Sequence, residues 1–352
     1  MFVLPSMVAA QDQIEVTGEA VCPDCEISLV PSTVIYDESG QAGLGGYPLS
    51  ITRASDGSVV LVSREFAALK FDSSGAFAGA IGRPGQGPGE YLGIRTVTSE
   101  GDHIFTYDVS LARRTKWTLE GTYVSSHRIP GVPFDDPVHL DGGDFILSTP
   151  LQRAETIGLP LHRFTPDGEW ITSFGPEAAV QGDDDLRRLT RLLAPAPDGT
   201  FWASHRYDYV LEQYSPLGEP LRAVRRRPGW FPRQSEIRPV SWDAGPEPMI
   251  RSIRVDERGL VWVVATIAGE DWRSGIPAGV PESQQPEAPL DYDELFDSII
   301  EVIDPIEGTL VMSKSVGSYV IGFLDDQHIA VYKEDAVGIP IIEVFTVVHS
   351  AP

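Results

Sequence analysis

Residues 49–81 read LSITRASDGSVVLVSREFAALKFDSSGAFAGAI. Four short β-rich runs lie in this stretch: Leu49–Ala54, Val59–Ser63, Ala67–Phe71 and Phe77–Ile81. Asp56-Gly57 separates the first two and Ser74-Gly75 the last two. Glycine supplies the positive φ that tight hairpin turns need. Two hairpins in a unit of this length make a four-stranded antiparallel module, the size of a propeller blade.

Both kinds of turn recur in alternation along the chain. The first continues at Glu100-Gly101, Asp141-Gly142, Asp198-Gly199 and Arg258-Gly259, then Asp325-Asp326. The second continues at Glu120-Gly121, Asp167-Gly168, Leu217-Gly218 and Glu307-Gly308. Successive glycines of the first kind stand 44, 41, 57 and 60 residues apart. The runs between them repeat the pattern, as in Ile94–Thr98, His103–Tyr107, Arg114–Leu119 and Tyr123–Ile129, or Leu189–Ala194, Thr200–Ser204, Val210–Tyr214 and Leu221–Arg225. No segment carries a long helical period, and Leu290–Ile300 is the one place where a short helix is arguable. The last unit has only three strands, Val320–Leu324, Ile329–Lys333 and Ile341–Val348. Glu26–Tyr36, ahead of the first blade, supplies the fourth, which closes the ring and removes an open sheet edge. The fold expected is all-β: a six-bladed β-propeller of four-stranded antiparallel blades closed by the N-terminal strand. A β-sandwich would not need six similar modules, and the WD and kelch signatures are absent.

Phe71-Asp72-Ser73-Ser74-Gly75-Ala76-Phe77 followed by Ile81-Gly82-Arg83-Pro84-Gly85-Gln86-Gly87-Pro88-Gly89-Glu90-Tyr91 resembles bacterial six-bladed β-propellers of NHL-repeat type. In these a strand pair ends at an Asp-Gly-like turn, and a Gly-Pro-Gly-Glu-aromatic loop crosses to the next blade. The resemblance extends over about residues 26–350, with the crossing loop clear once. It implies the fold but not the function, because such propellers include scaffolds, sugar or peptide binders, and lyases.

The net charge of −24 argues against nucleic acid or an anionic membrane as a partner. Of the basic residues 23 are Arg and only 4 are Lys. Residues 1–10, MFVLPSMVAA, look like the tail of a secretory signal peptide, so the protein is expected to be exported, periplasmic or extracellular. Residues 11–25 form a lead to a single propeller domain over 26–350, expected to be a monomer. Cys22 and Cys25 are the only cysteines. Two thiols cannot build a four-thiolate zinc site, and Glu26 stands where haem attachment needs His, so a local disulfide is the expectation.

The connections between second and third strands and between blades share one face of the disc. They are the long ones: Gly82–Gly93, Pro130–Pro137, Leu151–Pro160, Gly175–Arg188, Arg226–Met249 and Ile267–Asp297. Long loops on a rigid scaffold commonly carry recognition, so a glycan, peptide or protein ligand is expected there, over the central channel. Arg191 and Arg251 lie eight residues before the glycine of their first turns, and Arg95 is near the equivalent place. Asp108, His205 and Lys333 follow second strands. Together these make a polar ring at the mouth, or a salt-bridged rim. Trp230 and Phe231 lie among Arg222, Arg225, Arg226, Arg227, Arg233 and Arg238, a mixture suited to a carboxylate, a phosphate or an anionic glycan, or to a solvated outer strand. The acidic loop Ile267–Asp297 has the oxygen ligands Ca²⁺ takes, without EF-hand spacing.

Catalytic signatures fail: there is no His-Glu-x-x-His, Gly-x-Ser-x-Gly or Walker loop. Adjacent Asp183, Asp184 and Asp185 are not an acid/base arrangement. The expected function is non-catalytic binding. The alternative is a metal-dependent lactonase- or lyase-like enzyme with its site in the channel.

Overall fold

The computed structural model describes residues 12–22, 24–37, 40–131, 133, 135–151, 156–178, 180, 188–231, 245–277 and 290–350. The leader-like segment 1–10, Asp183–Asp185, Arg233 and Arg238 lie outside the described residues.

Six meandering antiparallel sheets form the blades, each running from the channel outward. Blade 1 holds Ser50–Arg53, Val59–Val62, Ala68–Phe71 and Phe77–Ile81. Blade 2 holds Ile94–Glu100, His103–Asp108, Arg113–Thr118 and Tyr123–Arg128. Blade 3 has Val138–His139, Phe145–Ser148, Leu161–Phe164 and Trp170–Phe174, and blade 4 has Arg191–Pro195, Phe201–His205, Val210–Tyr214 and Pro220–Arg226. Blade 5 holds Met249–Val255, Val261–Ala268, Phe296–Asp304 and Thr309–Val316. Blade 6 holds Tyr319–Phe323, His328–Glu334 and Pro340–Ser350, and its outermost strand is Glu26–Tyr36, antiparallel to Pro340–Ser350. The arguable helix is a single turn, Tyr292–Leu295, capped by the Asp291 carboxylate and running directly into a strand.

The sequence contrast between strands follows from position. Val59–Val62 and Phe145–Ser148 are buried at every residue, because neighbouring blades cover both faces of a second strand. Such strands read as continuous apolar runs rather than alternations. Outer strands such as Tyr123–Arg128 meet water and read polar. The apolar cores lie between blades: Val62, Ile81, Ile94 and Trp117 join blades 1 and 2, while Trp202, Leu211, Val261 and Val263 join blades 4 and 5.

Hydroxyl side chains tie neighbouring blades together across these interfaces. Ser50 Oγ accepts from Val97 N–H (3.1 Å), Ser148 Oγ from Arg191 N–H (2.6 Å) and Ser252 Oγ from Phe323 N–H (3.1 Å). Each satisfies a backbone donor at the edge of an inner strand that a shift of blades would orphan. The hairpin turns are built by aspartate: Asp56, Asp72 and Asp198 each accept from the backbone N–H two residues on. Gly75 has φ +90°, and a Cβ there would collide with the Val34 carbonyl of the closing strand.

Ahead of the closing strand lies a feature the repeat did not announce. Asp12–Val16 pairs in parallel with Pro220–Arg226, giving blade 4 a fifth strand. Val21 N–H then donates to Leu310 O (2.8 Å) and Cys22 N–H to Val311 O (3.3 Å), on the outer strand of blade 5. A disulfide joins Cys22 to Cys25 just before the chain enters blade 6. No described helix is long and apolar enough to cross a membrane.

His162, fully buried in blade 3, sits 2.8 Å from Thr149 O through Nε2 and 2.7 Å from Ser173 Oγ through Nδ1. Burial pulls its pKa down to about 4, only partly opposed by the Thr149 carbonyl. Between its unfolded value near 6.5 and about 4 the unfolded chain binds the extra proton, so stability falls as pH falls through that window. The expected loss from this group approaches about 3 kcal/mol at the acid end. Melting from pH 7 to pH 4.5 should therefore fall less steeply in His162→Gln than in the parent; equal slopes would contradict the assignment.

Candidate functional site

The candidate site is the mouth of the channel on the long-loop face, to which every blade contributes. Tyr47 leads into blade 1, and Arg64 follows that blade's second strand. Arg95 is near the start of the innermost strand of blade 2, and Asp135 and Asp136 lead into blade 3. Arg206 follows the second strand of blade 4, Arg251 is in the first strand of blade 5, and Tyr319 opens blade 6. All are start points of first strands or end points of second strands, so the meander delivers them to one face.

The cations are held in different ways. The Arg64 guanidinium stacks 3.5 Å from the Tyr47 ring centroid, and Tyr47 in turn lies 4.2 Å from Tyr292. Arg206 forms a close ion pair with Asp135 and donates to Ile250 O at 3.4 Å. Burial opposes the charge of Arg206, but Asp135 more than offsets it and holds the guanidinium charged. Burial lowers the pKa of Arg95, with Tyr47 and Asp135 opposing and the neighbouring Arg64 and Arg206 adding to the fall. Arg251 lies over the Tyr319 ring at 5.6 Å, and its buried Nε has no hydrogen-bond partner among the described residues.

Below the mouth an axial cavity of about 110 Å³ is lined by Ser50, Asp135, Asp136, Arg251 and Ser252, among others. Asp136 is exposed where it lines this cavity. Desolvation first, and the charge of Asp135 second, push its carboxyl up to about 7. Such a group changes charge near neutrality, where an ordinary aspartate is fully ionised. Among the described residues no group of three or more His, Cys, Asp or Glu is arranged to hold a metal ion.

Of the residues expected at the mouth, Arg95 and Arg251 are there. Asp108 lies beneath, buried, its carboxylate accepting from Leu92 N–H (2.7 Å), Gly93 N–H (3.3 Å) and Leu111 N–H (2.9 Å), so that it anchors the crossing loop. Arg191 turns into blade 4, donating to the Arg188 and Leu189 carbonyls at 2.7 Å and lying 3.5 Å from Glu212. His205 is 3.6 Å from the same carboxylate, and burial and Arg191 lower its pKa. Lys333 pairs with Glu343 at 2.8 Å on the flank of blade 6. Trp230 packs on Tyr209 and Phe231 at the rim of blade 4. A hollow of about 290 Å³ there is lined by Tyr209, Arg225, Arg227 and Phe231, among others.

Sequence reasoning missed Tyr47, Arg64, Asp135, Asp136, Arg206 and Tyr319. The signal was positional: Ser63-Arg64 and His205-Arg206 leave their second strands at matching places. The crossing-loop motif has a structural explanation instead. Glu90 accepts from Gly87 N–H (2.8 Å) and Arg83 Nε–H (3.0 Å), folding the loop on itself. At Gly82, φ +76°, a Cβ would sit 2.8 Å from the Trp117 ring.

Fold and mouth together define a six-bladed β-propeller with an arginine- and tyrosine-rich channel entrance. A family model described as DUF5128, a 6-bladed beta-propeller, matches residues 60–154. No curated protein matches the sequence. Among solved structures the chain is similar to a member of the DUF4221 family from Bacteroides vulgatus, at 10% identity and TM-score 0.62, over 93% of this chain and 99% of that one. It is also similar to a Bacteroides fragilis protein named as exported, at 10% identity and TM-score 0.59, over 96% of this chain and 99% of that one. At these identities the likeness is one of fold.

Proposed function

We propose that this chain is an exported, monomeric, non-catalytic binding propeller of NHL-repeat type that takes its ligand at the long-loop mouth of the channel. One observation carries the reading: Arg64, Arg95, Arg206 and Arg251 converge from four blades on one opening of a protein whose net charge is −24. Asp135 offsets the charge of Arg206, and a ligand anion would complement the positive charge that Arg64 and Arg251 add beside it. Export is supported by the apolar segment 1–10 and by the name of the Bacteroides fragilis protein. The strongly acidic balance disfavours nucleic acid as the ligand.

An array of glycans and peptides tests this directly. Arg95→Ala combined with Arg251→Ala should reduce retention of the parent's ligands about tenfold or more, with a melting temperature close to the parent's. Undiminished retention would end the reading. A second reading, a lactonase- or lyase-like enzyme working in the channel, is favoured by Asp136, a carboxylate that lines the axial cavity beside Asp135 and whose pKa is raised, as a general acid or base requires. Asp136→Asn separates the two: it abolishes turnover of a retained ligand in an enzyme, whereas in a binding module there is no turnover to lose.

A further inference from the structure

Resting on the mouth as a binding site, we infer that its ligand is an extended acidic peptide segment. It seats one large apolar side chain on Phe66, Leu92 and Val109, at the rim between blades 1 and 2, and turns a carboxylate toward Arg64 and Arg95. Three large apolar side chains stand open to water at this rim: Phe66 at 40%, Leu92 at 49% and Val109 at 42%. Their segments are bonded to one another, Ile94 N–H donating to Phe66 O (3.0 Å) and Val109 N–H to Gly93 O (2.9 Å). The Val109 side chain lies over Gly93, where an added Cβ would sit 3.6 Å from Val109 Cγ2. A single exposed apolar residue is ordinary, whereas several on adjoining segments of one rim mark an interaction surface.

Phe66 is the informative member. It stands in the turn between the second and third strands of blade 1 at φ +61°, a region that a bulky side chain enters only with strain. The corresponding connection in blade 2 enters the same region through Ala112, φ +48°, so such a turn asks for no aromatic ring. A ring kept in that conformation and partly open to water lowers stability, and contact with a ligand recovers the loss. Leu92 and Val109 are aliphatic. A sugar carries hydroxyls around its ring and covers such surface poorly, while a Leu or Phe side chain covers it without stranding a polar group.

The sign of the charge comes from the neighbours. Arg64 is two residues before Phe66, and Arg95 directly follows the Ile94 that bonds it, so the apolar rim runs into the cationic mouth. Exposed charges are screened beyond about 8 Å at physiological salt, so these arginines outweigh the net charge of −24 at this spot. The exposed Glu65, between Arg64 and Phe66, is the local opposing charge.

The probe is an array of short peptides that set one Leu or Phe among Asp, Glu, Gly and Ser. Each has one counterpart with Asn and Gln for the acids and another with Ser for the apolar residue. The full chain should retain peptides carrying both features, and either counterpart about tenfold less. Phe66→Ala, the residue type blade 2 uses, should weaken those peptides about fivefold or more, and so should Leu92→Ser. Melting temperatures should stay within about 3 °C of the parent's. Leu92→Ser stands alone should Phe66→Ala fold poorly. Glu65→Gln should tighten the same peptides. Retention of no acidic apolar peptide overturns the inference, as does tighter binding of the acid-free counterparts or weaker binding by Glu65→Gln. A parent that sediments as a dimer dissolved by Leu92→Ser assigns the patch to a second copy and overturns it too. Binding lost in Arg95→Ala with Arg251→Ala but kept in Phe66→Ala and Leu92→Ser removes the patch and leaves the mouth as the site. Binding indifferent to all of these variants removes the mouth reading as well.

Discussion

Glu301→Ala is expected to destabilise the propeller by about 3–5 kcal/mol, the largest single-residue effect we anticipate. Glu301 lies 1% exposed between blades 4 and 5. Arg226 grips it with both arms of the guanidinium, Nε to Oε2 at 2.7 Å and Nη2 to Oε1 at 2.8 Å, and Tyr209 donates its hydroxyl to Oε2 at 2.7 Å. Arg226 also donates to the Gly18 carbonyl at 3.3 Å, so the same cation reaches the N-terminal segment. Burial and the adjacent Glu301 push the Tyr209 hydroxyl well up, keeping it protonated and a donor. Removing the carboxylate leaves a buried cation and a buried hydroxyl without their acceptor. The cost is mainly that of the orphaned charge rather than the worth of the pair, which makes a second prediction from the same physics. Replacing all three residues with apolar ones (Glu301→Leu, Arg226→Met, Tyr209→Phe) should recover most of the loss. Chemical denaturation measures both; a loss below about 1 kcal/mol for Glu301→Ala would show that the network bears little of the inter-blade energy.

Ile35→Ala should cost about 2–4 kcal/mol and act on one place, the seam where the ring closes. Ile35 is fully buried, pairs with Ile342 and packs with Phe71 and Tyr332 between blades 6 and 1. Its neighbour Val34 is 50% exposed, and Val34→Ala should change stability by less than about 0.5 kcal/mol. Because the strand contributes to a single blade edge, the loss should surface as local opening. Hydrogen exchange should quicken in Glu26–Tyr36 and Pro340–Ser350 before it does in blades 2 and 3. Uniform quickening across all blades would mean that the ring opens only by global unfolding.

The blades were legible because second strands covered on both faces are rich in apolar residues and most hairpins carry a glycine at positive φ, both local requirements written into local sequence. Closure by Glu26–Tyr36 was legible as a missing strand. The fifth strand of blade 4 was not: Asp12–Val16 pairs in parallel, so no turn announces its partner. The mouth was half legible. Arg95 and Arg251 could be placed by counting back from turn glycines. Arg191 occupies the same position in its blade as Arg251, but it curls back onto the carbonyls of Arg188 and Leu189 beside Glu212 of the third strand, a carboxylate that no spacing within its own strand encodes. Arg64 and Arg206 stand past strand ends, where periodicity stops and a step of one residue changes the direction of a side chain.

The path of residues 12–36 along blades 4, 5 and 6 sets a timetable for assembly. Glu26 N–H meets Ser350 Oγ across 324 positions of chain, and Asp12 meets Arg222 across the whole of the first three blades. Both contacts join residues far apart in the chain, and contacts of that kind form late and slowly. A chain emerging from its N-terminus shows its clasp long before the surface that receives it. Until the last strands arrive, the ring is held open by its own order of synthesis.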